Sequence, residues 1–348
     1  MKAVQRVAIA WKWFPFYAAS SIGQLSKADS SFELKLYGTR SARPFKGLDQ
    51  VAGLPIRWLP EGANLSWMEL DERPPDLLIS TGWQEKSFLS LARATKQAGG
   101  HCVTMVDNRW RGDWRQRIGA FYYRLFLGRV FDGAWVPGES GVRLMRSFGV
   151  RSQCLWTGLY GADTARFQLG PELSERPKRF LYVGAFLQRK GLHLLVDAWP
   201  KFHRDFPDWE IDLIGNNEPD PRLKVLKGVN IYGFVQPQEL PQRLQAARCL
   251  ILPSYDENWG VVVHEAISCG CCVLVSNAVG SAPDLVGQEN GRIFEAGNSD
   301  DLFCKFVEIA TMDACDLKKA YQENCKIRER FGPNRWSGEF HQIRKAFL

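Results

Sequence analysis

Two glutamates, Glu257 and Glu265, lie eight positions apart in a stretch where the residue pattern changes. The apolar run 249–252 ends at a proline, which predicts a buried strand that leads into a loop. After Gly260, an apolar segment predicts a helix that ends at Gly270. The first carboxylate would then lie on the loop and the second would open the helix, where backbone N–H groups bind anions. Acceptors and donors would meet at the carboxyl edge of a parallel sheet, where open α/β folds bind ligands.

When these two glutamates are taken alone, a purely structural role explains them as well as a ligand-binding role does. Glu257 would be a solvated loop residue, and Glu265 would be a favourable charge in the first turn of the helix. His264, next to Glu265, should project from another face of the helix, and we interpret it as structural. Other parts of the chain are needed to choose between the two interpretations.

Length and composition predict two ordinary globular domains. The 348 residues exceed what one hydrophobic core usually holds, and 45% hydrophobic with 24% charged residues is typical of globular proteins. No run approaches the roughly 18–20 apolar residues of a membrane span, and the apolar run near the N-terminus is too short for a signal peptide. Nine scattered cysteines indicate reduced cytosolic thiols. Cys269, Cys271 and Cys272 lack the spacing of a zinc site and are expected to be small core residues.

The positive charge is concentrated in the first half of the chain. Residues 1–165 carry 22 Lys and Arg against 14 Asp and Glu, whereas the remainder carries 23 against 24. Nine arginines fall within 109–151, and aromatic residues are interleaved among them: Trp110, Trp114, Phe121, Tyr122, Tyr123 and Phe126. This mixture suits an anionic membrane surface, and it equally suits a nucleic-acid backbone or an anionic acceptor. The alternative is a solvated helix face whose aromatic residues lie in the core.

Strands and helices alternate in both halves of the chain. We predict strands at 6–11, 32–37, 76–80, 102–106 and 134–136 with helices at 22–28, 87–98 and 115–131, then strands at 180–183, 210–214, 229–232, 249–252 and 273–275 with helices at 192–206, 237–247 and 261–268. Such alternation predicts parallel, doubly wound sheets. The expected architecture is therefore α/β, with two Rossmann-like domains that are joined near 151–178 and face a cleft.

Two adjacent cations, Arg189 and Lys190, lie between a predicted strand and a predicted helix. At a helix N-terminus, cations oppose the macrodipole, and a bound anion such as a pyrophosphate would remove that conflict. The alternative is a tolerated surface pair, because an exposed charge–dipole interaction is worth only about 0.3–1 kcal/mol. The segment matches neither a P-loop nor G-x-G-x-x-G, so dinucleotide redox chemistry has no support.

Six motifs of the second half occur in a fixed order. They are Gly184 with Arg189-Lys190-Gly191, Gly233-Phe234-Val235, Pro253-Ser254 with Glu257, the pair Glu257 and Glu265, Cys269-Gly270, and Gly280 to Val286 followed by Asn290-Gly291. In order and spacing they resemble the donor-binding half of glycosyltransferase family 4, whose members are retaining enzymes of GT-B fold. The segment 160–163 is similar to that family's interdomain segment, and Phe331, Gly332 and Trp336 resemble its final helix.

The resemblance implies a GT-B fold with three parts. An N-terminal, acceptor-binding Rossmann-like domain would span 1–155, and a C-terminal, nucleotide-sugar-binding Rossmann-like domain would span 156–328. A final helix within 329–348 would cross back to the first domain.

The resemblance also implies roles for the matched residues. Glu265 would bind the ribose hydroxyls, since a carboxylate can accept from two vicinal hydroxyls at once. Lys190 with Arg189 would hold the diphosphate, and Glu257 would face the donor sugar as a catalytic residue. The rest of the donor site would come from Gly233, Phe234, Val235, Ser254, Asn258, Trp259, Gly260 and Val261. No metal or other cofactor is implied, and helix termini and cations would stabilise the leaving diphosphate instead.

The first half departs from the family pattern. The first strand is not followed by a Gly-Gly loop, and Ala185 stands where an arginine is frequent, a loss for which Arg189 is expected to compensate. Where many members carry a histidine after a mid-domain strand, this chain has Asp107 followed by Asn108. One of these, with Asp107 preferred, is the candidate catalytic side chain of this half. A role for Asp107 as a strand-end cap is equally good.

We therefore predict a retaining hexosyl- or related glycosyltransferase that moves a sugar from a nucleotide-diphosphate donor to an acceptor hydroxyl. The product would belong to a cell-surface polysaccharide, lipopolysaccharide or glycolipid. Expected partners are a nucleotide sugar, a glycan or lipid-linked acceptor, and an anionic membrane through 109–129, but no nucleic acid. The protein would be cytoplasmic or peripheral on the inner face of the membrane. The alternatives are a non-catalytic sugar-nucleotide-binding scaffold and, less favoured, an epimerase or phosphorylase of the same fold.

Overall fold

The computed structural model of the protein describes residues 4–29, 31–40, 47–236 and 238–348. The chain divides into two compact units: unit 1 is Met1–Gly161 with Pro333–Leu348, and unit 2 is Ala162–Gly332. The divisions at 161/162 and 332/333 compare with the predicted ones at 155/156 and 328/329. Each unit is built on one parallel sheet, and the C-terminal helix is part of unit 1. The predicted pair of doubly wound α/β domains is confirmed.

Unit 1 alternates strands and helices up to its seventh strand, except that, among the described residues, no helix separates β3 from β4. Its elements are β1 Gln5–Trp11, α1 Phe16–Ala28, β2 Phe32–Gly38, α2 Leu48–Ala52, β3 Ile56–Trp58, β4 Leu77–Thr81, α3 Lys86–Gln97, β5 His101–Met105, α4 Trp114–Tyr122, β6 Gly133–Trp135, α5 Glu139–Ser147 and β7 Leu155–Trp156. The strand order is β3-β2-β1-β4-β5-β6-β7. The chain adds β2 and β3 on one side of β1 and then β4 to β7 on the other side. The topological switch point, where open α/β sheets bind ligands, therefore lies between β1 and β4.

Unit 2 repeats this scheme on six strands. Its elements are β8 Arg179–Val183, α6 Leu194–Asp205, β9 Glu210–Ile214, β10 Val229–Tyr232, α7 Leu240–Ala246, β11 Cys249–Leu252, α8 Val261–Ser268, β12 Cys272–Ser276, α9 Ala282–Leu285, β13 Gly291–Phe294, α10 Ser299–Ala310 and α11 Ala314–Arg330. The strand order β10-β9-β8-β11-β12-β13 places the switch point between β8 and β11. The four residues of β11 are all buried, as expected for a parallel strand that is covered on both faces.

The last helix, α12 Pro333–Phe347, returns the chain to unit 1. Buried aromatic contacts fix it there: Trp336 packs on Trp135 with ring centroids 4.9 Å apart, and Phe340 packs on Phe32 at 5.5 Å. Aromatic pairs of this kind contribute packing energy beyond their buried area. Within the described residues, no helix combines the length and the apolar character that crossing a membrane would require.

Several helices differ from the predictions. Helix α1 begins at Phe16 rather than at residue 22, because Ala18 and Ala19 are buried and tertiary packing outweighs the weak helix propensity of the serines. The predicted helix at 237–247 is observed as α7 from Leu240, and residue 237 lies outside the described residues. Helices α5, α10 and α11 were not predicted; strongly polar α11 has a mostly solvated surface, which weakens its apolar periodicity.

Candidate active site

The residues predicted to bind the donor lie at the carboxyl edge of the unit 2 sheet. Segment 184–191 follows β8, and segment 253–260 follows β11. Because β8 and β11 are neighbours at the switch point, the two loops meet although they are far apart in sequence. This edge is the usual ligand site of a doubly wound sheet.

An ion pair joins the two loops. The Lys190 ammonium binds the Glu257 carboxylate, and their side chains are only 13% and 16% exposed. Burial, and after it the Glu257 charge, raises the pKa of the nearby Tyr182 phenol. A partly buried ion pair of this kind holds both side chains in position at the sheet edge.

The backbone of the β8 loop is packed tightly against the β11 loop. Gly191 has a φ of +73°, and a Cβ built on it would lie 1.9 Å from the carbonyl oxygen of Pro253, so a side chain there would separate the loops. The Tyr255 N–H donates to the Arg189 carbonyl at 2.8 Å, and Arg189 Nη1 donates to the Asp256 carbonyl at 3.1 Å. Arg189 and Lys190 therefore both face the β11 loop.

The sequence predicts that Arg189 and Lys190 lie at a helix N-terminus, and the structure places them elsewhere. Arg189 and Lys190 lie in one turn of 3-10 helix, Gln188–Lys190, and α6 begins only at Leu194. The charge of Lys190 is balanced by Glu257 rather than opposed by a helix dipole. The prediction of this local geometry was wrong because Gly191, in the left-handed region, ends the turn.

The Glu257 loop is also held by the segment that follows β12. The Glu257 N–H donates to the Ala278 carbonyl at 3.2 Å, and its carbonyl accepts from the Gly280 N–H at 2.9 Å. A Cβ on Gly280 would lie 1.7 Å from the Asn258 carbonyl. These contacts fix the path of 257–260 into α8, whose first N–H groups have no partner within the helix.

Glu265 lies on α8, one and a half turns beyond the Glu257 loop. The helix begins at Val261, so Glu265 is its fifth residue and not a first-turn charge. Burial raises the pKa of the Glu265 carboxyl to about 7, and the Arg166 guanidinium opposes this shift. The side chain is half-buried, and within the described part of the chain no hydrogen bond reaches its carboxylate, so the Arg166 charge offsets only part of the cost of burial and a ligand that supplies donors would offset more.

The other predicted donor residues differ in exposure. Gly233 and Phe234 are exposed and Val235 is half-buried; they follow β10, two strands away from β8 at the same edge. Ser254 and Trp259 are buried in the β11 loop. The Ser254 hydroxyl has no hydrogen-bond partner among the described residues.

Unit 1 holds a separate pocket at its own switch point. Its volume is about 350 Å³, and it is lined by Trp11, Lys12, Trp13, Pro15, Tyr17, Thr81, Gly82, Trp83, Gln84, Glu85, Met105, Val106, Asp107, Asn108, Leu159 and Tyr160. Most of these residues follow the carboxyl ends of β1, β4 and β5. Three indole rings and two phenol rings beside charged groups make a surface suited to an amphipathic ligand such as a sugar.

The charged groups of this pocket are held in place. Lys12 Nζ lies 3.0 Å from Glu85 Oε2, and the buried Glu85 also accepts from the Gly62 N–H at 2.7 Å. Burial of Glu85 would raise its pKa, but the Gly62 hydrogen bond and the Lys12 ammonium together lower it. Asp107 accepts from the Tyr160 hydroxyl at 3.0 Å.

Sequence reasoning placed Asp107 and Asn108 at this site but missed Lys12, Glu85 and Tyr160. The position of Lys12, directly after the apolar run of β1, was a usable signal. Glu85 had no such signal, because its hydrogen bonds come from residues distant in sequence.

The chain has two Rossmann-like units, each with polar groups at its switch point, and its C-terminal helix returns to unit 1. These features define a GT-B fold. Residues 164–327, just under half of the chain, match the family model described as glycosyl transferases group 1. Solved structures of similar fold include the Anabaena protein HepE in complex with UDP, with a TM-score of 0.78, 16% identity and coverage of 98% of this chain and all of that one. At this identity the likeness shows the fold.

Relatives by sequence align with part of the chain. An uncharacterized glycosyltransferase of Methanocaldococcus jannaschii is 27% identical over 152 residues, which are 42% of this chain and 41% of the relative. A phosphatidyl-myo-inositol mannosyltransferase of Mycolicibacterium smegmatis is 26% identical over 197 residues, 54% of this chain and 50% of the relative. The chain thus spans half or less of the length of these relatives.

Proposed function

We propose that this protein is a retaining glycosyltransferase of the family 4 type, which moves a sugar from a nucleotide-diphosphate donor to an acceptor hydroxyl. The observation that carries the proposal is the group of charged side chains at the carboxyl edge of the unit 2 sheet, where the Glu265 carboxyl has a raised pKa and accepts no hydrogen bond from the described residues, and where Lys190 pairs with Glu257. The family match over 164–327 covers this cluster, and HepE, whose fold is alike, was crystallised with UDP.

The nucleotide would be held by Glu265. A ribose offers two vicinal hydroxyls, and a carboxylate accepts from both, which removes the cost of its unsatisfied burial. Hydroxyl donors favour the charged carboxylate, so binding would lower the pKa of Glu265 from about 7. The exposed segment 233–235 would border the base.

The diphosphate would be held by Lys190 and Arg189. A diphosphate next to Lys190 would share its ammonium with Glu257, which keeps the cation oriented before the ligand arrives. The cations and the N–H groups at the start of α8 would stabilise the charge that develops on the departing diphosphate. This arrangement uses no metal ion.

The transferred sugar would lie beside Glu257. The Asn258–Gly260 backbone and the N-terminus of α8 supply N–H groups for its hydroxyls, and Glu257, fixed by Lys190, supplies a carboxylate. We assign the acceptor to the unit 1 pocket, where Asp107 is the carboxylate placed to orient an acceptor hydroxyl or take its proton.

The acceptor class is a glycan or a lipid-linked sugar, in the assembly of a surface polysaccharide, lipopolysaccharide or glycolipid. The mycobacterial relative, by its name, acts on phosphatidyl-myo-inositol, and an Escherichia coli relative, 28% identical over 170 residues, is an O-antigen chain mannosyltransferase. All nine cysteines are free thiols, which suits the cytoplasmic side of the membrane.

A thermal-shift screen followed by a turnover assay tests this function. Nucleoside diphosphates and nucleotide sugars should raise the melting temperature, because they bind only the native state. The best donor, radiolabelled in its sugar, should then label a membrane lipid extract or an oligosaccharide acceptor. Binding without turnover of the donor would favour a non-catalytic scaffold, and product formed without an acceptor would favour an epimerase.

A further inference from the structure

One helix of unit 1 carries an unbroken apolar stripe on its solvent side. It comprises α4 and the π-helical turn Tyr123–Leu127 that continues it. Six large apolar residues on it are between 45% and 67% exposed: Trp114, Ile118, Phe121, Tyr122, Leu125 and Phe126. Their spacing of three, four and seven positions places them on one face of the helix. We call them the α4 stripe.

The opposite face of the helix is anchored in the core of unit 1. Ala120, Tyr123 and Leu127 are buried. The Tyr123 ring packs on Trp83 at 5.2 Å and on Phe148 at 5.6 Å. The stripe is therefore presented to solvent by a rigid support, and its exposure does not come from a poorly packed helix. Contiguous exposed apolar surface of this kind marks an interaction site.

The charges carried by the segment 114–131, which includes the stripe, are of one sign. Between residues 114 and 131 the chain has four arginines and no Asp or Glu: Arg115, Arg117, Arg124 and Arg129. The nearest carboxylate, Asp113, accepts from the Gln116 N–H at 2.8 Å as the helix cap. Arg124 donates to the Ser147 carbonyl at 2.8 Å, and Arg115 lies over the Trp114 ring at 5.6 Å.

We propose that the α4 stripe docks the protein on an anionic lipid bilayer, with the helix lying in the plane of the surface. A large apolar face of Trp, Phe and Leu flanked by arginines is the composition of an interfacial helix. Indole and phenol groups prefer the headgroup level, and each arginine near the surface gains energy from anionic lipid. The helical segment of 14 residues is about 21 Å long, which suits binding in the plane.

Docking in this way brings the unit 1 pocket to the membrane surface. Asp107 and Asn108 line the pocket and lie seven and six residues before the start of α4. Trp83 also lines the pocket, and its ring packs on Tyr123 behind the stripe. Resting on the proposed function, we infer that the acceptor is a sugar carried by a membrane lipid. The reducing end of the glycan would then stay at the headgroup level.

Vesicle flotation with the full chain tests the docking without any nucleotide or acceptor. The wild-type protein should float with vesicles of phosphatidylcholine and phosphatidylglycerol at low salt, and much less with phosphatidylcholine alone. Raising sodium chloride to about 0.5 M should lower the bound fraction severalfold, because salt screens the arginines.

Two variant pairs identify the surface responsible. F121S with F126S should reduce the partition coefficient at least tenfold, and R117Q with R129Q should reduce it several fold on anionic vesicles only. The matched controls are M68S, at a residue 86% exposed elsewhere on unit 1, and K318Q with K319Q, which removes the same charge from α11. All variants change exposed side chains, so their melting temperatures should stay near the wild-type value.

The proposal fails if the wild-type protein does not bind anionic vesicles at low salt, or if F121S with F126S binds as the wild type does. It also fails if, in the absence of lipid, the wild-type protein sediments as a dimer and F121S with F126S sediments as a monomer, because the stripe would then be an interface between two copies of the chain. The inference of a lipid-borne acceptor fails separately if F121S with F126S loses vesicle binding but still labels the membrane lipid extract at the wild-type rate. Absence of any sugar transfer would overturn the proposed function and leave the docking result standing.

Discussion

At the scale of single residues, the charge of Glu265 carries an energetic cost from burial that Arg166 offsets only in part. Its pKa is raised to about 7 from an ordinary value near 4.5 because it is partly buried. The folded state therefore binds more protons than the unfolded state between these two values. The cost of the charge is absent below the unfolded pKa and fully present above the folded one.

Replacing Glu265 by Gln should therefore stabilise the ligand-free protein at pH 8 and not at pH 4.5. The gain in the free energy of unfolding should be about 1–3 kcal/mol, from ~1.4 kcal/mol for each unit of pKa shift, reduced because the group is only partly buried. Urea unfolding at both pH values measures it. E289Q, which changes an exposed acid of unit 2, should show no such difference, and equal stability of E265Q and wild type at pH 8 would refute the argument.

The Lys190–Glu257 pair should behave as one unit in a double-mutant cycle. K190A leaves a mostly buried carboxylate without its partner, and E257A leaves a mostly buried ammonium. Each single variant should lose about 1–3 kcal/mol, and the double variant should lose clearly less than their sum. Urea unfolding of the four proteins at pH 7 measures the coupling. Additive losses of unfolding free energy would mean that Lys190 and Glu257 do not stabilise the fold through their interaction with each other.

Particular residues show how far the sequence predicts the site. Glu257, Glu265 and Lys190 could be predicted as donor-site residues because each lies in a local strand–loop or loop–helix pattern. Lys12, Glu85 and Tyr160 were missed because their partners come from other strands. The sequence predicts that the Lys190 charge opposes a helix dipole. The sheet order instead brings Glu257 next to Lys190, which the sequence alone does not show.

At the scale of elements, two loops must approach closely at the unit 2 switch point. Gly191 allows this through its positive φ and the absence of a side chain facing the Pro253 carbonyl. G191A should therefore destabilise the protein by about 2 kcal/mol or more, the cost of the left-handed region plus the displacement of the loops. It should also weaken nucleotide binding. Chemical unfolding and calorimetry measure the two effects.

Gly233 provides the matched control for this prediction. It belongs to the same site by prediction, but a Cβ built on it would meet no atom within 4 Å. G233A should therefore change the free energy of unfolding by less than about 0.5 kcal/mol, as for an ordinary surface substitution. Equal effects of G191A and G233A would show that close loop approach is not what Gly191 provides.

The elements themselves were predictable where the apolar pattern is strong. The central strands of both sheets lie within a few residues of their predicted bounds, because parallel strands buried on both faces are nearly continuous apolar runs. Polar helix α11 was missed, and the sequence left open whether the aromatic residues of 114–126 lie in the core. The structure buries Tyr123 and exposes the other members, which hydrophobic periodicity alone did not decide.

At the scale of the whole molecule, the two units place their polar clusters at equivalent positions. Each cluster lies at the carboxyl edge of its sheet beside a topological switch point, between β1 and β4 in unit 1 and between β8 and β11 in unit 2. A division of labour between a donor unit and an acceptor unit follows from this arrangement as a proposal. The α4 stripe adds the expectation that unit 1 works at a lipid surface.

The most direct test of this account is isothermal titration calorimetry with the nucleoside diphosphate that gives the largest thermal shift. The wild-type protein and E289A should bind it equally well at pH 8. E265A should bind it at least tenfold more weakly, a loss of about 1.4 kcal/mol or more, although it remains folded. Failure of every nucleoside diphosphate to bind the wild-type protein, or unchanged affinity in E265A, would contradict the central claim.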